Sequence, residues 1–356
     1  MSVPDTSAIL TPEHIHRIYN EHFRGIHTED GRHASSCIND NLYQVFYPQY
    51  TGVVANIIEQ CILSIIDALT KVVPHNQEKY ATSMQHIMND SKNIFLVTNH
   101  ATFANIPIAI RELHRYAKLP DHQEKLNKLY TILAPSLTTQ SQRHFVNTLS
   151  HLLKTFTLNS RSQIAGLKQE IKKVRGAFKE EVDTRASQQG NIFMLASGGT
   201  RDVTTRNSYG EIEKMYMEKN HNVWATNNFL LPFIQQGDTL VLEGMNEIGI
   251  KRPDKTNPKD HTRTKGNTYV DIEIISPEDA LDMLKSNTML DRIAGLTRDI
   301  YGRKVGQVVT SKNMREIKHE IETNPKHIQS FPKQDFDDTI MKAIVRWLFH
   351  TLNTLV

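Results

Sequence analysis

The stretch TNHATFAN, residues 98–105, lies between the apolar runs NIFLV and IPIAI and places one histidine, His100, in a polar corner. The chain has 17 histidines, most of which must be surface or packing residues, so position alone does not make this ring reactive. A second polar corner has the composition of an anion cradle. ASGGTRD, residues 196–202, follows the apolar NIFML. Two glycines let the backbone turn tightly and approach a ligand, freed amides can face an anion, and Arg201 with Arg206 can clamp it. A plain strand-ending turn would use the same glycines. The loop lacks both G-x-G-x-x-G and G-x-x-x-x-G-K-[ST], so the dinucleotide and P-loop readings lose their defining spacing.

The elements that must position these corners are legible in the hydrophobic periodicity. From residue 93 onward, short β-branched or aromatic runs alternate with longer helical stretches: NIFLVT, YTILAPSL, TFTLN, NIFMLAS, FLLPFIQ, DTLVLEG and TYVDIEII. Strands alternating with helices predict an α/β layer structure with a mixed, mostly parallel sheet flanked by helices. Ligands of such sheets sit at the carboxyl ends of the strands, where the loop holding His100 falls. EIEKMYMEK, residues 211–219, reads as helix. The first 90 residues show helical periodicity instead. TPEHIHRIYNEHF opens with a Thr cap, a Pro at the first helical position and an early Glu, and residues 53–73 and 76–90 read as further helices. The predicted organisation is a helical-bundle domain over 1–90 and an α/β catalytic domain over 91–356.

Composition excludes several classes. A chain of 356 residues has ample length for a sizeable core. Two cysteines, Cys37 and Cys61, cannot build a disulfide framework or a structural zinc site. Basic and acidic residues nearly balance, 42 against 39, so the molecule as a whole is no polyanion binder and nucleic acid is not expected as a partner. The N-terminus carries Asp5, Glu13 and Glu21 and no secretory pattern. The longest apolar segment, 53–73, holds Glu59, Gln60 and Asp67 on one helical face, which suits packing better than a membrane span. The protein therefore reads as soluble, cytoplasmic or inside an organelle, with peripheral membrane contact left open.

Taken in order, NHATFAN, the TLNSR of 157–161, FMLASGGTRD and the FLLPF of 229–233 resemble the four ordered blocks of the glycerolipid acyltransferase superfamily. The Ser-Gly-Gly of the third block, with its following Arg-Asp, is most similar to the soluble, chloroplast-type glycerol-3-phosphate acyltransferases. That group also has a helical domain ahead of an α/β catalytic domain. The resemblance implies transfer of a fatty acyl group from acyl-CoA or acyl carrier protein to the sn-1 hydroxyl of glycerol 3-phosphate. It makes His100 the general base, since an imidazole titrating near 6.5 can take the proton of an attacking alcohol. In the family an aspartate five residues on orients that ring. Here the position is Asn105, which can hold the ring by hydrogen bonding but adds no negative charge. Three expectations follow: an adapted relay through Asn105, a relay through another carboxylate such as Asp202, or a relative that only binds.

The resemblance also assigns Arg161 and Arg201 to the substrate phosphate, with Ser197, Gly198, Gly199 and Thr200 forming the loop around it and its backbone amides serving a developing oxyanion. Arg161 is followed by Ser162 rather than a second basic residue, and Thr200 separates the glycines from Arg201. Lys154 and Arg206 are the substitutes. Pro232 of the fourth block is expected to shape the acyl pocket. No metal or resident cofactor is implied. A stripe of Lys168, Lys172, Arg175 and Lys179 beside the apolar face Ile164, Leu167, Ile171, Val174 and Phe178 could receive an acidic carrier protein or coenzyme A phosphates. Lysophospholipids or other phosphorylated alcohols are alternative acceptors for the same chemistry.

Overall fold

In a computed structural model of the chain, the structure describes residues 45–46, 63, 66–67, 70–101, 105–133, 155–157, 179–198, 202–206, 212–248, 266–298, 302 and 304–324. At 45–46, 133, 155–157, 206, 247–248 and 266 the description covers the backbone alone. The chain divides into two compact units. One comprises Met1–Ile65, Leu133–Glu180 and Asp335–Val356, the other Ile66–Ile132 and Glu181–Gln334. In the first, β1 (Val45–Phe46) pairs antiparallel with β5 (Thr155–Thr157). The helices expected over most of the first 69 residues lie outside the described residues.

The second unit holds a six-stranded sheet in the order β4 (Leu129–Leu133), β6 (Ile192–Ala196), β3 (Ile94–Thr98), β9 (Thr239–Ile248), β10 (Gly266–Ile275), β2 (Thr70–Pro74). The pairings are parallel except between β9 and β10, so the sheet is mixed and mostly parallel, as the alternating runs predict. IFLVT and IFML are buried on both faces, which is why they carry no polar alternation. A smaller sheet follows in the order β11 (Gly306–Thr310), β8 (Ile212–Lys219), β7 (Val203–Arg206).

Helices cover both faces of the main sheet. Phe95 of β3 stacks on Phe193 of β6, with ring centroids 5.0 Å apart, and meets Phe233 of α4 (His221–Gln235) at 4.9 Å. Tyr130 of β4 continues the stack at 5.5 Å from Phe193. Phe95 lies opposite Leu240 in the β3–β9 register, and Glu243, three residues further, must point to the other face. There it meets Tyr80 of α1 (Gln77–Asn89). Also in this unit are α2 (Asn105–Tyr116), α3 (Pro120–Leu126), α5 (Pro277–Ser286), α6 (Met289–Leu296) and α7 (Ser311–Thr323). Their starts carry local signals. Asn76 and Asn220 accept amide hydrogens at the first turns of α1 and α4, and Ser276 does so for α5 ahead of Pro277.

Three expected elements are corrected. Residues 70–74 end no helix. Thr70, Val72 and Val73 favour an extended backbone and pair with β10, and Pro74 closes the strand. FLLPF is not a strand but the last part of α4, whose buried residues Val223, Asn227, Leu230, Phe233 and Ile234 recur at helical spacing behind the Asn220 cap. EIEKMYMEK is not a helix. Its residues 212–219 form β8, in which the alternate residues Met215 and Met217 are buried and β7 and β11 supply hydrogen-bonding partners on either side.

Gly244 lies on the α4 side of β9. A Cβ there would stand 2.8 Å from the Leu296 carbonyl carbon and 2.8 Å from the Thr297 nitrogen, both backbone atoms that cannot swing aside. Gly244→Ala should therefore push α6 off the sheet and lower stability by about 1–3 kcal/mol, read as a shifted urea midpoint at unchanged slope.

Candidate functional site at the carboxyl ends of β3, β6 and β9

The register of β3 brings Thr98, Ala196 and Glu243 side by side where the central strands end. Beyond Thr98 the chain is tied on both sides. The Ser197 amide donates to the Thr98 carbonyl at 3.0 Å, which carries the β6 contact one residue further. Asn99 is fully buried and imitates a strand residue with its side chain: its Oδ1 accepts the Met245 amide at 2.7 Å and its Nδ2 donates to the Met245 carbonyl at 3.0 Å. His100 follows at once. The residue is half-buried.

Asp202 crosses from the other polar corner to His100. Its carboxylate Oδ2 accepts the His100 amide at 2.8 Å, and its own amide donates to the His100 carbonyl at 2.8 Å. Asn99 Nδ2 approaches the same Oδ2 at 3.5 Å. The two corners singled out in the sequence thus meet through Asp202. Burial pushes the Asp202 carboxyl up to about 7, against the opposing pull of the His100 and Asn99 hydrogen bonds.

The remaining expected site residues fall as follows. Asn105 is fully buried as the first residue of α2, the helix after the His100 corner. Ser197 is buried and Gly198 half-buried in the turn after β6. Arg206 lies in β7, where only its backbone is described. Gly199, Thr200, Arg201, Arg161 and Lys154 lie outside the described residues, as does the basic stripe except Lys179, which is exposed. Pro232 is not brought to His100. It occupies the last turn of α4 beside Phe233, which packs on Phe95 near the amino end of β3, whereas His100 follows the carboxyl end.

Glu243 was not among the expected site residues. It has no solvent exposure, its Oε1 receives the Tyr80 hydroxyl at 3.4 Å, and burial, with the Glu112 charge adding to it, pushes its carboxyl up to about 8. Burial also raises Glu112 itself, although Arg115 at 3.1 Å opposes that shift. The signal was present in the sequence, as a lone carboxylate in the otherwise apolar run TLVLEG. Its chemistry is that of a neutral acid at physiological pH, beneath the corner that carries His100. Among the described residues, no group of three or more His, Cys, Asp and Glu could hold a metal ion, and no helix is long and apolar enough to cross a membrane. No protein-family model matches this sequence, and no curated protein matches it.

Glu243 makes stability depend on pH. Its carboxyl ionises near 4.5 when unfolded and near 8 when folded. Between those values the folded state binds more protons, so stability falls as pH rises. Glu243→Gln, which keeps an oxygen for Tyr80, should gain on the wild type by up to about 1.4 kcal/mol per pH unit across that window. Urea denaturation at pH 5 and pH 8 checks this; a difference that does not grow with pH contradicts it.

Proposed function

We propose that the chain is an acyltransferase that moves a fatty acyl group from acyl-CoA or acyl carrier protein to the sn-1 hydroxyl of glycerol 3-phosphate. The observation that carries the reading is the pairing of His100 with Asp202. It joins a half-buried histidine at the end of the central strand to the glycine-rich loop that the resemblance assigns to phosphate. The parallel pairing of β3 with β6 sets the two corners side by side, and Asp202 is the residue that joins them.

In the proposed reaction the His100 imidazole takes the proton of the glycerol 1-hydroxyl as that oxygen attacks the thioester carbonyl. Backbone amides of the loop after β6 hold the developing oxyanion. Collapse expels the thiolate, which recovers the proton from the imidazolium, so proton and charge balance over the cycle. Arg161 and Arg201 are assigned to the substrate phosphate by resemblance, as permanently charged forks suited to it. Asn105, buried at the start of α2, is the proposed orienter of the ring. Because it is uncharged, it favours a second reading, a relative that binds the same ligands without turnover.

Purified protein incubated with glycerol 3-phosphate and each acyl donor decides between these. Transfer by the wild type, lost in His100→Ala and kept or raised in Asn105→Asp, is the expected result. A silent wild type beside an active Asn105→Asp establishes the binding relative. Both chains silent with every donor refutes the transferase reading. Arg201→Ala should raise the KM for glycerol 3-phosphate roughly thirtyfold, about 2 kcal/mol for a lost charged hydrogen-bond partner; an unchanged KM removes Arg201 from the phosphate site.

A further inference from the structure

From the geometry around His100 we infer that Asp202 is a positioning residue that holds the base through its main chain and not as a charge relay to its ring. The inference rests on the proposed role of His100. An aspartate relay in a histidine mechanism bonds a ring nitrogen and stabilises the imidazolium. Here Asp202 Oδ2 lies 2.8 Å from the His100 main-chain nitrogen, and the Asp202 amide returns a 2.8 Å bond to the His100 carbonyl. One residue thereby grips both main-chain hydrogen-bonding groups of another.

The surroundings make this grip the last link of a chain. Thr98 is held by the Ser197 amide, and Asn99 by both main-chain groups of Met245. The path to His100 is therefore fixed from β6 on one side and β9 on the other, and Asp202 fixes His100 itself. Asn99 Nδ2 also lies 3.3 Å from the Met215 sulfur of β8, so both sheets bear on this corner. The direction of the His100 Cα–Cβ bond, and with it the reach of the ring, follows from a peptide that cannot rotate while both its bonds persist. A small misplacement of a reacting group costs a large factor in rate.

A main-chain clamp needs an acceptor oxygen and no charge. Burial makes the charge costly at Asp202 and pushes its carboxyl up to about 7, so asparagine should serve nearly as well. A ring relay requires the charge, and asparagine would fail there. The two roles therefore part at Asp202→Asn.

The test compares Asp202→Asn and Asp202→Ala with the wild-type full chain, with Asp202→Val, which likewise lacks a side-chain acceptor, replacing the alanine variant should it not fold. The first readout is amide hydrogen exchange at His100, which does not depend on turnover. Exchange about tenfold faster or more in Asp202→Ala, and within about threefold of wild type in Asp202→Asn, is expected for the loss of one acceptor. The second readout is kinetic: Asp202→Ala should lower kcat about tenfold or more at little-changed KM for glycerol 3-phosphate, while Asp202→Asn stays close to wild type. Unchanged exchange in Asp202→Ala, or an Asp202→Asn kcat as low as that of the alanine variant, overturns the inference. A wild type without transferase activity removes the role of His100 as a base and the catalytic part of the inference with it; the exchange arm then still decides whether the clamp exists.

Discussion

The hydrogen bonds that leave β3 at each end are the constraint on which the rest of the structure depends. Asn93 stands just before the strand. Its Nδ2 donates to Asp238 Oδ1 at 3.1 Å and to the Ala186 carbonyl at 2.8 Å, while its Oδ1 accepts from Asn191 Nδ2 at 2.8 Å. Asn99 stands just after and spends its amide on Met245. Both asparagines are fully buried. A one-residue slip of β3 would carry every side chain to the opposite face and take Phe95 out of its aromatic stack. It would also strip the two buried amides of their partners, at about 1–3 kcal/mol per group left unsatisfied. The asparagines therefore fix where β3 begins and ends, and the position of His100 follows from that register.

The two ends differ in what lies beyond the bracket. At the amino end the network of Asn93, Asn191 and Asp238 closes on itself among β3, β6 and β9, and the loops there are short. At the carboxyl end the bracket is followed by groups that packing does not need: a half-buried histidine, a turn with Ser197 and Gly198, and the Asp202 carboxyl pushed up to about 7. Glu243 lies on the opposite face from the aromatic stack and shares its register position with Thr98. A fully buried carboxyl has no structural advantage over leucine at such a position. Its presence beside the His100 corner concentrates costly polar groups at one edge of the sheet, which is how functional sites are built.

Much of the sheet was legible in the sequence because its strands are buried on both faces. IFLVT and IFML are continuous apolar runs too short for a helix, and turn residues bound them. The misread elements are those in which burial on one side only decided the outcome. FLLPF has the composition of a strand, yet α4 is set by the Asn220 cap nine residues upstream and by a buried face of helical spacing that begins before it. In EIEKMYMEK the charges suggest an exposed helix face, while the buried positions Met215 and Met217 follow the two-residue period of β8. TKVV, residues 70–73, reads as the end of the apolar helix before it, because its pairing partner β10 lies nearly 200 residues away in the chain. At the site, His100 and the Ser-Gly-Gly corner were visible as residue types. The meeting of the two corners was not, since it runs through main-chain atoms that carry no residue signature.

The uncharged residue at position 105 has a consequence for what the corner must do. Where an aspartate follows the histidine, its charge both orients the ring and lowers the free energy of the imidazolium. An asparagine can supply only the first of these. The charge it omits would have been fully buried at the start of α2, on the face of the sheet that already holds Glu243 and Glu112. Each of those carboxyls is pushed up by burial, and the Glu112 charge raises Glu243 further. A third carboxylate there would meet the same desolvation and add repulsion between like charges. Asparagine at 105 is thus the residue this crowded acidic face accommodates, and in the proposed reaction a base at His100 would draw its orientation from the main chain where an aspartate would have supplied a counter-charge. Fixing the peptide by way of Asp202 and Asn99 answers that requirement with hydrogen bonds to the main chain, which need no charge on either side chain.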